Sequence, residues 1–74
     1  MPKTTSLREQ FGQRLRALRL QHDLTQEQLA EVAEISVDFL SLVERGINSP
    51  SFEVMERLAK SLKVPVKELF DFER

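Results

Sequence analysis

The sequence contains no cysteine, tryptophan or tyrosine, and only two glycines, three prolines and one histidine in 74 residues. Without cysteine there is no disulfide, no thiolate metal site and no cysteine nucleophile. His22 has no ligand partners in sight, so neither a metal nor a cofactor is implied. There is no glycine-rich loop to cradle a phosphate. Apolar runs reach only two or three residues, too short to span a bilayer. The opening Met1-Pro2-Lys3-Thr4-Thr5 lacks the apolar stretch of a signal peptide, and the cytoplasm is the expected location. With scattered carboxylates, one histidine and little volume for a pocket, the chain is not expected to be an enzyme.

What is present is a globular composition, 41% hydrophobic and 31% charged. The length allows one domain, which buries only about 60% of the surface its unfolded chain exposes. Stability must come from helix packing or from a second chain. The net charge of −1 hides an uneven distribution. Residues 1–24 carry five basic and two acidic side chains, a balance of +3. Residues 25–50 carry one arginine and five acids, a balance of −4, and residues 51–74 carry five of each. Basic charge is therefore local, and the whole-chain value is a poor guide to partners.

With so little punctuation and no alternating β-branched run, the chain reads as all-α. Ser6-Leu7-Arg8-Glu9 forms a capping box, after which Leu7, Phe11, Leu15 and Leu18 mark one face of a helix ending near Gln21–Asp23. Thr25-Gln26-Glu27-Gln28 is a second box, opening a helix with Leu29, Ala30 and Ala33 inward. Ser36 caps a third helix, with Asp38 in its first turn, Leu40 and Val43 inward and Gly46 beyond its end. Ser51 caps a fourth, whose stripe is Val54, Met55, Leu58, Ala59 and Leu62. Pro65 suits the first position of a short fifth helix bearing Val66, Leu69 and Phe70. The expected organisation is a flexible segment 1–6, a domain 7–70 and a tail 71–74.

Residues 26–45 thus hold two short helices joined by about three residues, with the small Ala30 where they would cross. Ile35, Leu40 and Val43 supply the apolar contacts beneath. This is a helix-turn-helix pattern, in which the second helix can lie in the DNA major groove. Leu24-Thr25-Gln26-Glu27-Gln28-Leu29-Ala30, then Ser41-Leu42-Val43-Glu44-Arg45-Gly46, then Asn48-Ser49-Pro50-Ser51, resembles the Cro/C1-type (XRE) helix-turn-helix family of bacterial and phage regulators. The resemblance runs from about Leu7 to Phe70. It implies a compact five-helix, lambda-repressor-like domain that binds operator DNA, usually as a two-fold dimer. By position it implies that Gln26 contacts a phosphate from the start of the second helix. Ser36, Val37, Asp38, Ser41 and Leu42 would form the groove-facing side of the third helix, with Arg45 and Asn48 near the DNA backbone. Arg19 would pair with Glu44 and tie the first helix to the third. Breaking such a pair from one side strands a buried charge, at a cost of about 3–5 kcal/mol.

Two departures stand out. Glu34 occupies a position where the family usually has glycine. Either it accepts a left-handed backbone, at roughly 1–2 kcal/mol, or the turn differs slightly. Among the base-reading positions stand Val37, Asp38 and Leu42. Valine and leucine can pack on thymine methyls and Asp38 can accept from cytosine N4, but none offers guanine a bidentate donor. Modest affinity per monomer is expected, with phosphate contacts from Arg14, Arg16 and Arg45, and with Lys3 and Arg8 as further candidates. Arg14 and Arg16 as a merely solvated face is the competing reading.

Val66, Leu69, Phe70 and Phe72 exceed what a short helix needs to cover its neighbour, which points to a homodimer with recognition helices about 34 Å apart. The leading expectation is a repressor or autoregulator reading a short pseudo-palindromic operator, nucleoid-associated when DNA-bound. The alternative is a protein-interaction module or antitoxin-like partner, docking through an exposed apolar stripe of Val37 and Leu42.

Overall fold

Each of four α-helices begins at a hydroxyl side chain. In the computed structural model, which describes residues 5–72, these are α1 (Leu7–Gln21), α2 (Gln26–Ala33), α3 (Val37–Glu44) and α4 (Phe52–Ser61). Ser6 Oγ accepts from the Glu9 amide at 3.1 Å, and Glu9 Oε1 accepts from the Ser6 amide at 3.0 Å. Thr25 and Gln28 repeat that reciprocal box at α2. Ser36 and Ser51 each accept one amide, from Phe39 at 3.0 Å and Val54 at 3.1 Å. All four caps satisfy first-turn amides that have no acceptor inside the helix.

Three helix ends turn through non-glycine residues in the left-handed region, Asp23 (φ 58°), Glu34 (φ 62°) and Lys63 (φ 58°). Only the fourth, Gly46 at φ 77°, uses glycine. Glu34 therefore does accept the left-handed turn, at ψ 44°, and the Ile35 amide behind it donates to the Ala30 carbonyl at 3.0 Å.

The fifth element departs from expectation. Val66–Phe70 is a 3-10 helix, and Pro65 is its extended N-cap rather than its first helical residue. Five residues are too few for a stable α-helical ladder, and the Glu68 amide bonds three residues back to the Pro65 carbonyl at 2.9 Å. Only Leu69 of this segment is fully buried; Val66 and Phe70 stay partly exposed. All regular structure among the described residues is helical. Residues 1–4, Lys3 among them, and residues 73–74 lie outside those residues.

The core is one cluster. It joins Phe11, Leu15 and Leu18 of α1 with Leu29, Ala30 and Ala33 of α2, Leu40 and Val43 of α3, Leu58 and Ala59 of α4, then Leu62 and Leu69. Leu7, expected on the inward face of α1, is 61% exposed instead, because α1 overshoots the core at its N-terminus. α1 packs on α3 and the 3-10 helix, while α2 packs on α3 and α4. The α1–α3 approach is close enough that a Cβ on Gly12 would lie 2.6 Å from the Glu44 carbonyl oxygen and also against that of Val43.

Candidate nucleic-acid interface

Eight residues of α3 divide into a buried and an open side. Leu40, Val43 and Glu44 are buried, and Phe39 and Val37 pack against the core edge. Ser36, Asp38 and Arg45 are exposed, while Ser41, Leu42 and Asn48 are half-buried. The loop beyond is folded back on the helix, with the Ile47 and Asn48 amides both donating to the Leu42 carbonyl at 2.9 and 3.3 Å. The open face of α3 carries one acid, Asp38, and ends on one base, Arg45. The arginine at the C-cap also complements the helix dipole.

Behind α3 lies a buried ionic network. Arg19 Nε donates to Glu44 Oε2 at 2.7 Å and Arg19 Nη2 to Glu44 Oε1 at 3.0 Å, a two-point pairing. Both side chains are nearly excluded from water, 8% and 1% exposed. Arg19 Nη1 reaches the Leu24 carbonyl at 2.8 Å, so the turn before α2 is held as well. Gln26 joins the same network, its Nε2 donating to Glu44 Oε1 at 3.0 Å. Among the described residues no buried side-chain polar atom lacks a partner.

The expected cationic contacts separate. Arg16 and Arg45 are exposed. Arg14 is not free: its Nε donates to the Glu68 carbonyl at 2.8 Å and its Nη2 to the Glu68 carboxylate at 3.0 Å, with the side chain only 11% exposed. It fastens the 3-10 helix to α1. Arg8 Nη1 donates to the Ile47 carbonyl at 3.1 Å, which places it beside the loop after α3. The exposed apolar stripe of Val37 and Leu42 is absent, since both are half-buried and Val37 packs on the core.

Exposed apolar surface lies elsewhere. Phe52 is 80% exposed, Leu7 61% and Ile47 47%. Near them an open groove of about 460 Å³ is walled by Leu7, Phe11, Pro50, Met55 and Phe70. The Phe70 ring lies 5.2 Å from that of Phe11 and 6.2 Å from that of Phe72. Of the four residues expected at a dimer surface, Leu69 is sealed in its own core, while Val66 and Phe70 keep partial exposure and Phe72 is half-buried. Phe52 escaped the sequence reading although it had a signal, an aromatic on the flank of the α4 stripe next to its cap. Arg57 escaped too: its Nε donates to the Ala33 carbonyl at 2.9 Å and closes the end of α2 from α4, a contact without local signature.

An all-helical domain that offers one open helix face has the elements a helix-turn-helix module needs. The helix-turn-helix family model HTH_3 matches residues 15–69. The control protein C.BamHI of Bacillus amyloliquefaciens is 36% identical over 70 residues, covering 93% of this chain and 86% of its own. The cryptic phage CTXphi transcriptional repressor RstR of Vibrio cholerae is 37% identical over 59 residues, and there the match spans 80% of this chain but only 53% of the repressor. The crystal structure of the restriction-modification controller protein C.AhdI from Aeromonas hydrophila superposes with a TM-score of 0.82 at 39% identity, covering 84% of this chain and 94% of that one. The chain belongs to the Cro/C1-type (XRE) helix-turn-helix family and is a DNA-binding transcription regulator. That family is a class of regulators, not of enzymes. No described helix is long and apolar enough to cross a membrane.

Proposed function

We propose that residues 7–70 act as the DNA-binding unit of a repressor or autoregulator that reads a short pseudo-palindromic operator as a homodimer. α2 and α3 form the helix-turn-helix, and α3 enters the major groove. The observation that carries this reading is the division of α3, whose inner side is locked by Leu40, Val43 and Glu44 while Ser36, Asp38, Ser41, Leu42 and Arg45 keep an open or half-open face. Asp38 accepts from a cytosine amine and Leu42 packs on a thymine methyl. Arg45 and Arg16 meet phosphate, Asn48 lies beside the backbone, and Gln26 donates to a phosphate at the start of α2. The controller proteins match over most of both chains, which supports treating this domain as sufficient for binding. The complex forms in the cytoplasm, on the nucleoid.

The second copy is proposed to sit on the groove walled by Leu7, Pro50, Met55 and Phe70, with Phe52 as the projecting side chain. Phe52 and Met55 are three residues apart and share a helix face, so knob and hollow adjoin on one chain. A two-fold pair uses the same patch twice, which suits such a self-complementary surface.

The test is fluorescence anisotropy with the protein's own upstream DNA against an unrelated fragment, at about 50 and 200 mM salt. The expected result is salt-dependent binding that prefers the upstream fragment. Equal binding to both fragments at both salts overturns operator recognition.

A further inference from the structure

Gln26 is the first residue of α2, and its backbone amide has no intrahelical acceptor. Its side chain is half-buried and bonded to Glu44, a residue of another helix eighteen positions away. We infer that Glu44, beyond pairing with Arg19, is a positioning residue for DNA binding that fixes the Gln26 carboxamide for its phosphate contact. This rests on the reading of Gln26 as a phosphate contact given above.

The chemistry of the three groups carries the inference. A carboxylate only accepts, so the amine end of the Gln26 carboxamide, and not its carbonyl, must face Glu44. One Nε2 hydrogen is thereby used, at 3.0 Å, and the second stays available. A free glutamine samples many rotamers, and holding it in one conformation before binding lowers the ordering entropy lost on contact. A bare carboxylate near α2's N-terminus would repel phosphate. Here Arg19 covers both of its oxygens, at 2.7 and 3.0 Å, and offsets that charge. The same arginine holds the Leu24 carbonyl at 2.8 Å, two residues before Gln26, so the backbone and side chain of the contact are set by one network. α3 and the α2 N-terminus are thus registered against each other by Glu44, and a phosphate contact on one fixes the depth of the other.

The experiment is a double-mutant cycle on the full chain, read by anisotropy with the upstream fragment. Gln26→Ala is expected to weaken binding about tenfold per protomer, the scale of one hydrogen bond to a charged group. The slope of log affinity against log salt should not change, because an amide releases no counterion, whereas loss of an arginine contact lowers the slope. Glu44→Gln keeps an acceptor oxygen, so the cycle uses the apolar pair Arg19→Met with Glu44→Leu, which removes the acceptor and leaves no stranded charge. That pair should weaken binding by a similar factor alone and add nothing in the Gln26→Ala background. If the two losses multiply instead, Glu44 acts only on the fold and the inference is overturned. If the wild type binds neither fragment, operator recognition fails rather than the positioning. The positioning is then judged on the free protein by NMR. A Gln26 side-chain amide resonance that shifts in the apolar pair supports the orientation, and one that stays in place overturns it.

Discussion

At Glu34 the backbone sits at φ 62° and ψ 44°, a conformation that glycine adopts freely and a glutamate does not. The left-handed region costs an L-residue roughly 1–2 kcal/mol, while glycine brings extra unfolded-state entropy of roughly 0.5–1 kcal/mol. Glu34→Gly is therefore expected to stabilise the domain by about 0.5–1 kcal/mol, a melting temperature higher by about 4 °C, measured by circular dichroism on heating. A lower melting temperature would show that the glutamate side chain contributes more than its backbone strain. Two further single changes separate the kinds of DNA contact. Arg45→Ala should weaken binding to all fragments alike and reduce the salt slope by about one, as for one lost phosphate contact. Asp38→Ala should leave the slope alone and relax preference at one base pair by about 1–3 kcal/mol, read by competition with single-base operator variants. An unchanged base preference would remove Asp38 from the readout.

α1 and α3 meet at Gly12, where the sign of an ordinary substitution reverses. In an exposed helix Gly→Ala stabilises by about 1 kcal/mol through helix propensity. Here a Cβ would meet the Val43 and Glu44 carbonyl oxygens, which are backbone and cannot rotate away. Gly12→Ala is expected to destabilise by about 2 kcal/mol, the scale of overpacking, and a urea midpoint below that of the wild type checks it. Gly12 also shows why some of this molecule was not legible in one dimension. The four hydroxyl caps and the stripes of α1, α2 and α4 were, because cap and partner lie three residues apart and core positions repeat with the helix. The Arg19–Glu44 geometry was anticipated only through the family resemblance, since nothing in twenty-five residues of separation fixes a contact. The Arg14 contact depends on where the C-terminal segment docks, and that docking makes a basic residue a clasp on Glu68. The same docking buries Leu69. Leu7 and Pro65 differ for local reasons: Leu7 stands in the first turn of α1, beyond the core, and the five residues after Pro65 are too few for an α-helical ladder.

For the whole molecule the question is how an acidic, weakly basic-faced domain gains affinity. The α3 face offers Arg45, Arg16 stands on α1, and Arg14 and Arg19 are committed to internal pairs, so the proposed binding mode draws on few cations per protomer. Linking two half-site contacts makes the second one intramolecular and raises affinity by about 10²–10⁴-fold without any new contact to DNA. The groove and Phe52 are where that linkage is proposed. Because Phe52 is 80% exposed, Phe52→Glu removes nothing from the core and should leave the melting temperature of a dilute sample nearly unchanged. In a dimer it places two carboxylates in an apolar contact, where an unpaired buried charge is strongly unfavourable. Sedimentation velocity should then report a monomer, and affinity for a two-half-site operator should fall by about a hundredfold or more, while affinity for an isolated half-site stays the same. A Phe52→Glu protein that still sediments as a dimer would move the interface to another face. One that is monomeric yet binds the full operator as tightly as the wild type would show that the half-sites are read independently, and that the few cations of a single protomer suffice.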